Sequence, residues 1–406
     1  MVHPLRRSAR AGIVAIAIAL GTAIGLKATD DNDTPDISWS QYRYVGSFLP
    51  PPAGFPDARA AYSNGAIAYH DGGLYITSHV WFHSVAKISI PNQLGDVRTH
   101  DELPYADFLI DWSDIGSPVL DQLPNANAKE IAGLVVHQPP GYDRPVLWFT
   151  VRDTYNVSGE TLPSHASVAL NLDPATVTGL WSFAQGWPPS NATAGHLISV
   201  PQAWADKAGV YSLWTGLSGA SGILGSSVGP VAFAISPWST DLTDTLDSQE
   251  IMLHAPPDHE FRTWPRSADY PSGISGQASF TSGATWLERP GFRPALAFAG
   301  RRGERCYYGE PDGHCNNSRG SDGSPYHVEI MVYPESEVFR AIAGTPAWHL
   351  RCEVTELSDI MPVGCYDRIG LAADNATGRI FVSQALGASV DGEPVPVIHV
   401  FAAQCW

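Results

Sequence analysis

Five side chains able to move a proton stand at the ends of apolar runs in this chain. His79 and His83 flank Val80-Trp81-Phe82, and Tyr155 follows the run Val146–Val151. His165 precedes Ser167–Leu172, and His196 stands in Ala194-Gly195-His196 ahead of Leu197–Pro201. Imidazole and phenol side chains serve as general acids and bases when a fold holds them beside a substrate. A second chemical signal is the cluster Arg301, Arg302 and Arg305 in a chain whose lysines past residue 27 are Lys87, Lys129 and Lys207. Guanidinium groups bind carboxylates in a bidentate fork, so the cluster suggests an anion site, the alternative being a solvated loop.

A third group combines thiols and imidazoles. Cys306, His314, Cys315 and His327 fall within the Gly-rich stretch Arg301–His327. Two cysteines and two histidines make a zinc ligand set, although this spacing is not that of a standard finger. A Cys306–Cys315 disulfide is the competing expectation, Cys352 and Cys365 could bridge neighbouring strands, and Cys405 would then remain as a thiol. The stretch Gly225-Ser226-Ser227-Val228-Gly229 has the form of a nucleophile elbow. That motif needs a helix after it, and here Pro230 and the strand-like Val231–Ser236 follow, which argues against a serine hydrolase.

The elements that would position these groups read as short strands. Gly65–His70 and Leu74–Ser78 form a hairpin about Asp71-Gly72-Gly73. Ser84–Ile90, Val146–Val151, Ser167–Leu172, Val231–Ser236, Ala295–Ala299, Val328–Tyr333, Arg379–Ser383 and Val397–Phe401 continue the series. Helical signals are brief: Pro201–Ala208 ahead of Gly209, and Ser336–Ala343 ahead of Gly344. An all-β fold follows. The stretch from Tyr42 to Trp406 accommodates about seven propeller blades at roughly 45–50 residues each, so the expectation is a seven-bladed β-propeller with divergent blades. A two-domain β protein is the alternative.

Composition narrows the function classes. The chain has 406 residues, 44% of them hydrophobic, with 38 Gly and 33 Pro, which rules out wholesale disorder and long helical bundles. Its net charge of −17 excludes a nucleic-acid binder, which needs phosphate-neutralising surface. Arg6, Arg7 and Arg10 precede the uncharged run Ala11–Leu26, the pattern of a signal peptide or of an uncleaved membrane anchor over residues 1–28. Residues 29–41 read as an acidic linker and 42–406 as one domain. Removal of residues 1–28 would make the net charge four units more negative. The expected product is a monomer that is secreted, periplasmic or at the cell surface.

Taken together, Tyr42–Leu49, Ser63–His70 and Leu74–Pro91 resemble the opening blade of ulvan lyase-type seven-bladed propellers. Glu130–Val136, Gly195–Trp204, Gly229–Pro237, the Cys306/Cys315/His327 region and Ala373–Phe401 continue the likeness in order. The resemblance implies an exported lyase that cleaves a uronate-containing polysaccharide by β-elimination, with a structural zinc and no organic cofactor. It implies Tyr155, His165 and His196 as base and acid, and Arg301 or Arg302 on the substrate carboxylate. His79 and Trp81 would line the sugar groove. One departure is Ser226-Ser227, where such lyases tend to carry Ser-Arg, so another uronate polymer than ulvan is open. A non-catalytic propeller that binds glycan or protein is the rival, and a glycosidase with paired carboxylates a third reading.

Overall fold

A computed structural model describes residues 34–52, 59–99, 102–123, 129–153, 162–183, 193–221, 224–225, 229–236, 245–254, 279–304, 307–308, 321–322, 324–364 and 367–404. The chain divides into two compact units, Met1–Thr34 and Pro35–Trp406. The second unit is built mainly of antiparallel strands, with a few short helices. Its carboxy-proximal part of the expected linker is docked: Ile37 and Trp39 are buried, and Asp36 pairs with Arg293 at 2.8 Å.

Among the described residues the strands form five four-stranded antiparallel units; a short parallel pairing of Thr245–Met252 with Thr178–Phe183 joins the second and third into one eight-stranded sheet, Ser218–Ser221 and Leu224–Gly225 extend the fourth to six strands, and Tyr307–Tyr308 pairs with Ser321–Asp322 apart from them. The first holds Ile67–His70, Gly73–Thr77, Ser84–Ser89 and Phe108–Asp114. The second holds Lys129–His137, Val146–Asp153, His165–Val168 and Thr178–Phe183. The third holds His196–Ser199, Leu213–Gly216, Ala232–Ser236 and Thr245–Met252. The fourth holds Phe280–Leu287, Ala295–Gly303, Tyr326–Pro334 and Glu353–Glu356. The fifth takes three strands from the end of the chain, Ile369–Asp374, Arg379–Val390 and Glu393–Ala403, and its outer strand, Tyr42–Phe48, from the beginning.

The first strands of the five sheets touch in sequence and close a ring, the fifth against the first. A hydrophobic core fills each junction between neighbours. Tyr75 and Phe149 share one core, Trp148 and Phe233 the next, and Trp214 and Phe298 the third. Val328 and Val382 share the fourth, and Ile76 and Phe381 the fifth. The inner strands of each sheet are covered on both faces and read as unbroken apolar runs, as in Val146–Asp153 and Ala232–Ser236, while outer strands such as Phe108–Asp114 and Glu353–Glu356 alternate. The described residues give five sheets where length arithmetic had suggested seven. These units spend far more residues in connections than the compact repeats behind that arithmetic.

All five first strands run in the same direction. Their later residues, among them Tyr69, Val136, Ser199, Trp286 and Ala373, enclose an axial cavity of about 250 Å3. Their opening residues close together through glycines. A Cβ on Gly133 would land on the carbonyl oxygen of Gly195, and one on Gly370 on that of Gly65. The backbones of neighbouring sheets are therefore in direct contact there. Closure of the fifth sheet carries a buried polar chain. The Tyr44 hydroxyl lies 2.7 Å from Ser47 Oγ, which lies 2.9 Å from His399 Nδ1, while His399 Nε2 faces Gln384 Oε1 at 3.3 Å.

Candidate functional site

In an antiparallel meander the first strand starts, the second ends and the third starts at one end of the sheet. That end of the ring, called here the starting end, collects the candidate residues. His165 opens a third strand, His196 opens a first strand, and Arg301 and Arg302 close a second strand. His79 follows the second strand of the first sheet. Residue types scattered over more than two hundred positions of sequence thus share one end of the ring.

At its centre lies an ion cluster that crosses the ring axis. Glu130 is the second residue of the second sheet's first strand and is buried at 4% exposure. Arg152, directly opposite it in register, places Nε and Nη2 each 2.5 Å from Glu130 Oε1. Arg368, which precedes the first strand of the fifth sheet, donates Nη1 to the same oxygen at 2.5 Å. Phe280, from the fourth sheet, lies beneath both guanidinium groups, 5.5 Å from each. The second sheet adjoins neither the fourth nor the fifth, so these contacts span the axis. Asn64 adds the first sheet by donating its amide to the Ile131 carbonyl.

Two guanidinium charges therefore face one carboxylate. Burial works to raise the Glu130 carboxyl, but the Arg152 and Arg368 charges outweigh it and hold it down at about 2. Burial, together with the charge of Arg368, lowers the Arg152 guanidinium to about 10. It stays cationic at neutral pH. Arg152 Nη1 is buried and has no hydrogen-bond partner among the described residues, whereas the Arg368 side chain is 26% exposed. The cluster carries one net positive charge at the mouth of the ring, in a low-dielectric setting where it is weakly screened.

Both candidate imidazoles are buried beside this cluster's sheets. His165 is held at both nitrogens, Nδ1 by Ser164 Oγ and Nε2 by Thr215 Oγ1, each at 2.9 Å. Its neighbour His196 donates Nε2–H to the Val231 carbonyl at 3.0 Å, because a carbonyl can only accept. That assignment leaves a lone pair on His196 Nδ1, which has no partner among the described residues. Burial lowers His165 to about 3 and His196 to about 4, so both rings are neutral at pH 7. Tyr155, the third expected proton-transfer residue, lies outside the described residues.

The arginine pair splits. Arg301 lies over the Tyr326 ring at 4.7 Å and reaches the Gly364 carbonyl at 3.4 Å, on the side of the fifth sheet. Arg302 is tied to Glu329 at 2.5 Å and lies 3.9 Å from Glu356. Of the expected zinc ligands, Cys306, His314 and Cys315 lie outside the described residues. His327 holds a carboxylate at each nitrogen, Glu356 at 2.7 Å and Glu304 at 2.8 Å, so ligating a metal would require it to release one of them. No cluster of three or more His, Cys, Asp or Glu among the described residues is arranged to hold a metal. Cys352 is a free thiol packed against the core around Trp286, and Cys365, the partner the sequence had allowed, lies outside the described residues.

Sequence reasoning passed over Glu130, Arg152, Phe280 and Arg368. Their signal was available in part: Lys129-Glu130 and Arg152-Asp153 are charged pairs set against the apolar strands Ile131–Val136 and Val146–Val151, where a charge must find a partner.

No protein-family model matches the chain, and no curated protein matches it. Among solved structures it is similar to a polysaccharide lyase, an ulvan lyase bound to a glucuronate–rhamnose 3-sulfate saccharide. The match covers 88% of this chain and 72% of that one at 13% identity, with a TM-score of 0.34.

Proposed function

We propose that the ring is a five-bladed β-propeller whose starting end binds an acidic polysaccharide and cleaves it by β-elimination beside a uronate. The observation that carries this reading is the sharing of one carboxylate, Glu130, by Arg152 and Arg368 across the axis. The surplus positive charge gives a uronate carboxylate a place to bind in a chain that is otherwise strongly acidic. Arg368, the more exposed of the two, and Arg301 beside the fifth sheet are the groups to contact that carboxylate.

Elimination removes the proton at C5 of the uronate, expels the sugar linked through O4 and leaves a C4–C5 double bond. Neutralising the carboxylate lowers the energy of the enolate that forms when the C5 proton leaves. A base must carry a lone pair at rest, and His196 Nδ1 does. Tyr155 and His165 complete the set of proton-transfer groups in this reading, with His79 and Trp81 along the sugar path. A structural zinc on Cys306, His314, Cys315 and His327 is a separate proposal, tested by elemental analysis of the wild type against Cys315→Ser. Zinc in neither protein would leave the disulfide.

The test is incubation of the purified protein with a panel of uronate polysaccharides, following the ultraviolet absorbance of the unsaturated uronate. Absorbance should rise on at least one polymer, and Arg368→Gln should raise KM for it. A second reading, glycan binding without cleavage, is favoured by the burial of His165 with both nitrogens engaged. Binding of a polymer with no absorbance change in any case would select it.

A further inference from the structure

At the end of the ring away from the arginine cluster, the first strands of the second and third sheets finish side by side, one on His137 and the other on Ser199. Ser199 Oγ lies 2.8 Å from His137 Nδ1. The imidazole is buried, whereas Ser199 lines the axial cavity of about 250 Å3.

The direction of each proton follows from the far end of a relay. Gln202 donates its amide Nε2 to Asp206 Oδ1 at 2.6 Å, because a carboxylate accepts, and this turns Gln202 Oε1 towards Ser212. Ser212 gives its one hydroxyl proton to that oxygen at 2.7 Å. Its lone pairs remain for His137 Nε2 at 3.4 Å, so Nε2 carries the imidazole proton. His137 Nδ1 is then a lone pair, and the contact with Ser199 is an O–H donated by the serine. Burial lowers the imidazole to about 4, which keeps it neutral at pH 7.

A serine whose proton rests on an imidazole, with that imidazole oriented through its other nitrogen, is the arrangement that activates a hydroxyl as a nucleophile. Here the orienting partner is the Ser212–Gln202–Asp206 relay. An acyl group also needs a donor for its oxygen. The Val200 amide bonds to the Ser212 carbonyl, so by the alternation of an antiparallel ladder Leu197 and Ser199 turn their amides away from that strand, towards the axis. The Ser199 N–H therefore faces the cavity on the edge beside its own hydroxyl. Tyr69, Val136, Leu197, Trp286 and Leu371 line the same cavity, and none of its described lining residues is charged. Its volume is below that of a site for a drug-sized molecule.

We propose that Ser199 and His137 form an acyl-transfer site that hydrolyses a small, uncharged carboxylic ester. Ser199 Oγ attacks the ester carbonyl carbon and its proton passes to His137 Nδ1. The bond to the alcohol oxygen breaks, and that oxygen leaves with the proton from His137. Water then attacks the acyl carbon, giving one proton to His137, which returns it to Ser199 Oγ as the carboxylic acid departs. The site lies at the opposite end of the ring from Glu130, Arg152 and Arg368 and stands independently of the glycan reading.

The test treats the full-length protein with a small alkyl fluorophosphonate and maps the adduct by peptide mass spectrometry, with p-nitrophenyl acetate hydrolysis as the second readout. The wild type should carry the adduct on Ser199 and release nitrophenol. Ser199→Ala should lose both signals while keeping the wild-type circular dichroism. His137→Gln should slow labelling of Ser199 by about a hundredfold or more, the share of a general base. Ser212→Ala, which removes the acceptor from His137 Nε2, should slow it less. A folded wild type without an adduct on Ser199 would overturn the site, and that result depends on no variant. Equal labelling in His137→Gln, or equal ester hydrolysis in Ser199→Ala, would overturn it as well.

Discussion

Glu130 and Arg368 are 238 residues apart in the chain and 2.5 Å apart in the fold. They belong to sheets that are not neighbours in the ring, so their ion pair ties two sheets across the axis, with Arg152 on the same oxygen. This gives the pair two roles at once. It fastens the starting end of the ring, and in the proposed function it holds a cation for the substrate carboxylate.

Removing one member of a buried ion pair leaves the others without compensation. Glu130→Ala should destabilise the protein by about 3–5 kcal/mol, seen as a lower midpoint in urea unfolding. The pH dependence follows from the depressed carboxyl. The unfolded chain takes up the proton first, near the ordinary carboxylate value of about 4.3. The stabilisation by Glu130 is therefore complete above that pH and is lost as pH falls towards about 2. Glu130→Gln should flatten the stability profile across that window. An unchanged profile would show that the cluster contributes nothing to folding.

Five buried imidazoles act at higher pH. Burial lowers His165 and His399 to about 3, and His137, His196 and His254 to about 4. On unfolding, each regains an ordinary value of about 6.5 and takes up a proton below it. Stability should therefore fall as pH drops from about 6.5 towards 4. His399, which closes the fifth sheet between Ser47 and Gln384, is the residue to test. His399→Gln should reduce the difference in unfolding free energy between pH 7 and pH 5, and an unaltered difference would contradict its burial in the neutral form.

The glycines of the starting end make a steric prediction. Gly133→Ala would drive a methyl group onto the Gly195 carbonyl of the next sheet, and backbone cannot swing aside as a side chain can. The expected cost is at least about 3 kcal/mol, the upper range for overpacking. Gly141→Ala is the control, since nothing lies within 4 Å of its added Cβ, and only its backbone φ of 85° resists the change. Equal midpoints for the two variants would mean that the backbones of the two sheets do not touch there.

Cys352 is a free, mostly buried thiol, and burial pushes it up to about 11. At pH 8 it should resist alkylation in the folded protein and react fully in denaturant, as read by mass spectrometry of the peptide that contains it. Rapid labelling of the native protein would contradict this packing.

Much of the fold was legible because strands and their turns are encoded locally. The hairpin about Asp71-Gly72 forms as read, with both residues at positive φ, 46° and 70°. The helix after Pro201 runs Gln202–Ala208 and stops at Gly209 in the left-handed conformation. The other helix, Glu335–Ile342, lies within a residue of its expected span. At the site, His165 and His196 were read as residues ahead of strands, and each opens one, whereas Arg301 and Arg302, read as a basic cluster beyond the strand Ala295–Ala299, lie inside the longer strand Ala295–Gly303. What was not legible was which of them meet. His165 closes on Thr215 and Arg302 on Glu329, partners chosen by packing rather than by spacing.

By itself, the sequence determined the all-β class, the approximate strands and the polar residues at their ends, because short apolar runs, turn residues and helix stops act over a few positions. The number of sheets, the closure of Tyr42–Phe48 onto the last strand and the meeting of Glu130 with Arg368 were decided only in the tertiary structure. Those contacts join segments hundreds of residues apart. Their energy comes from burying five shared cores and from pairing charges across an axis, and no local pattern records which distant partner a strand or a charge will find.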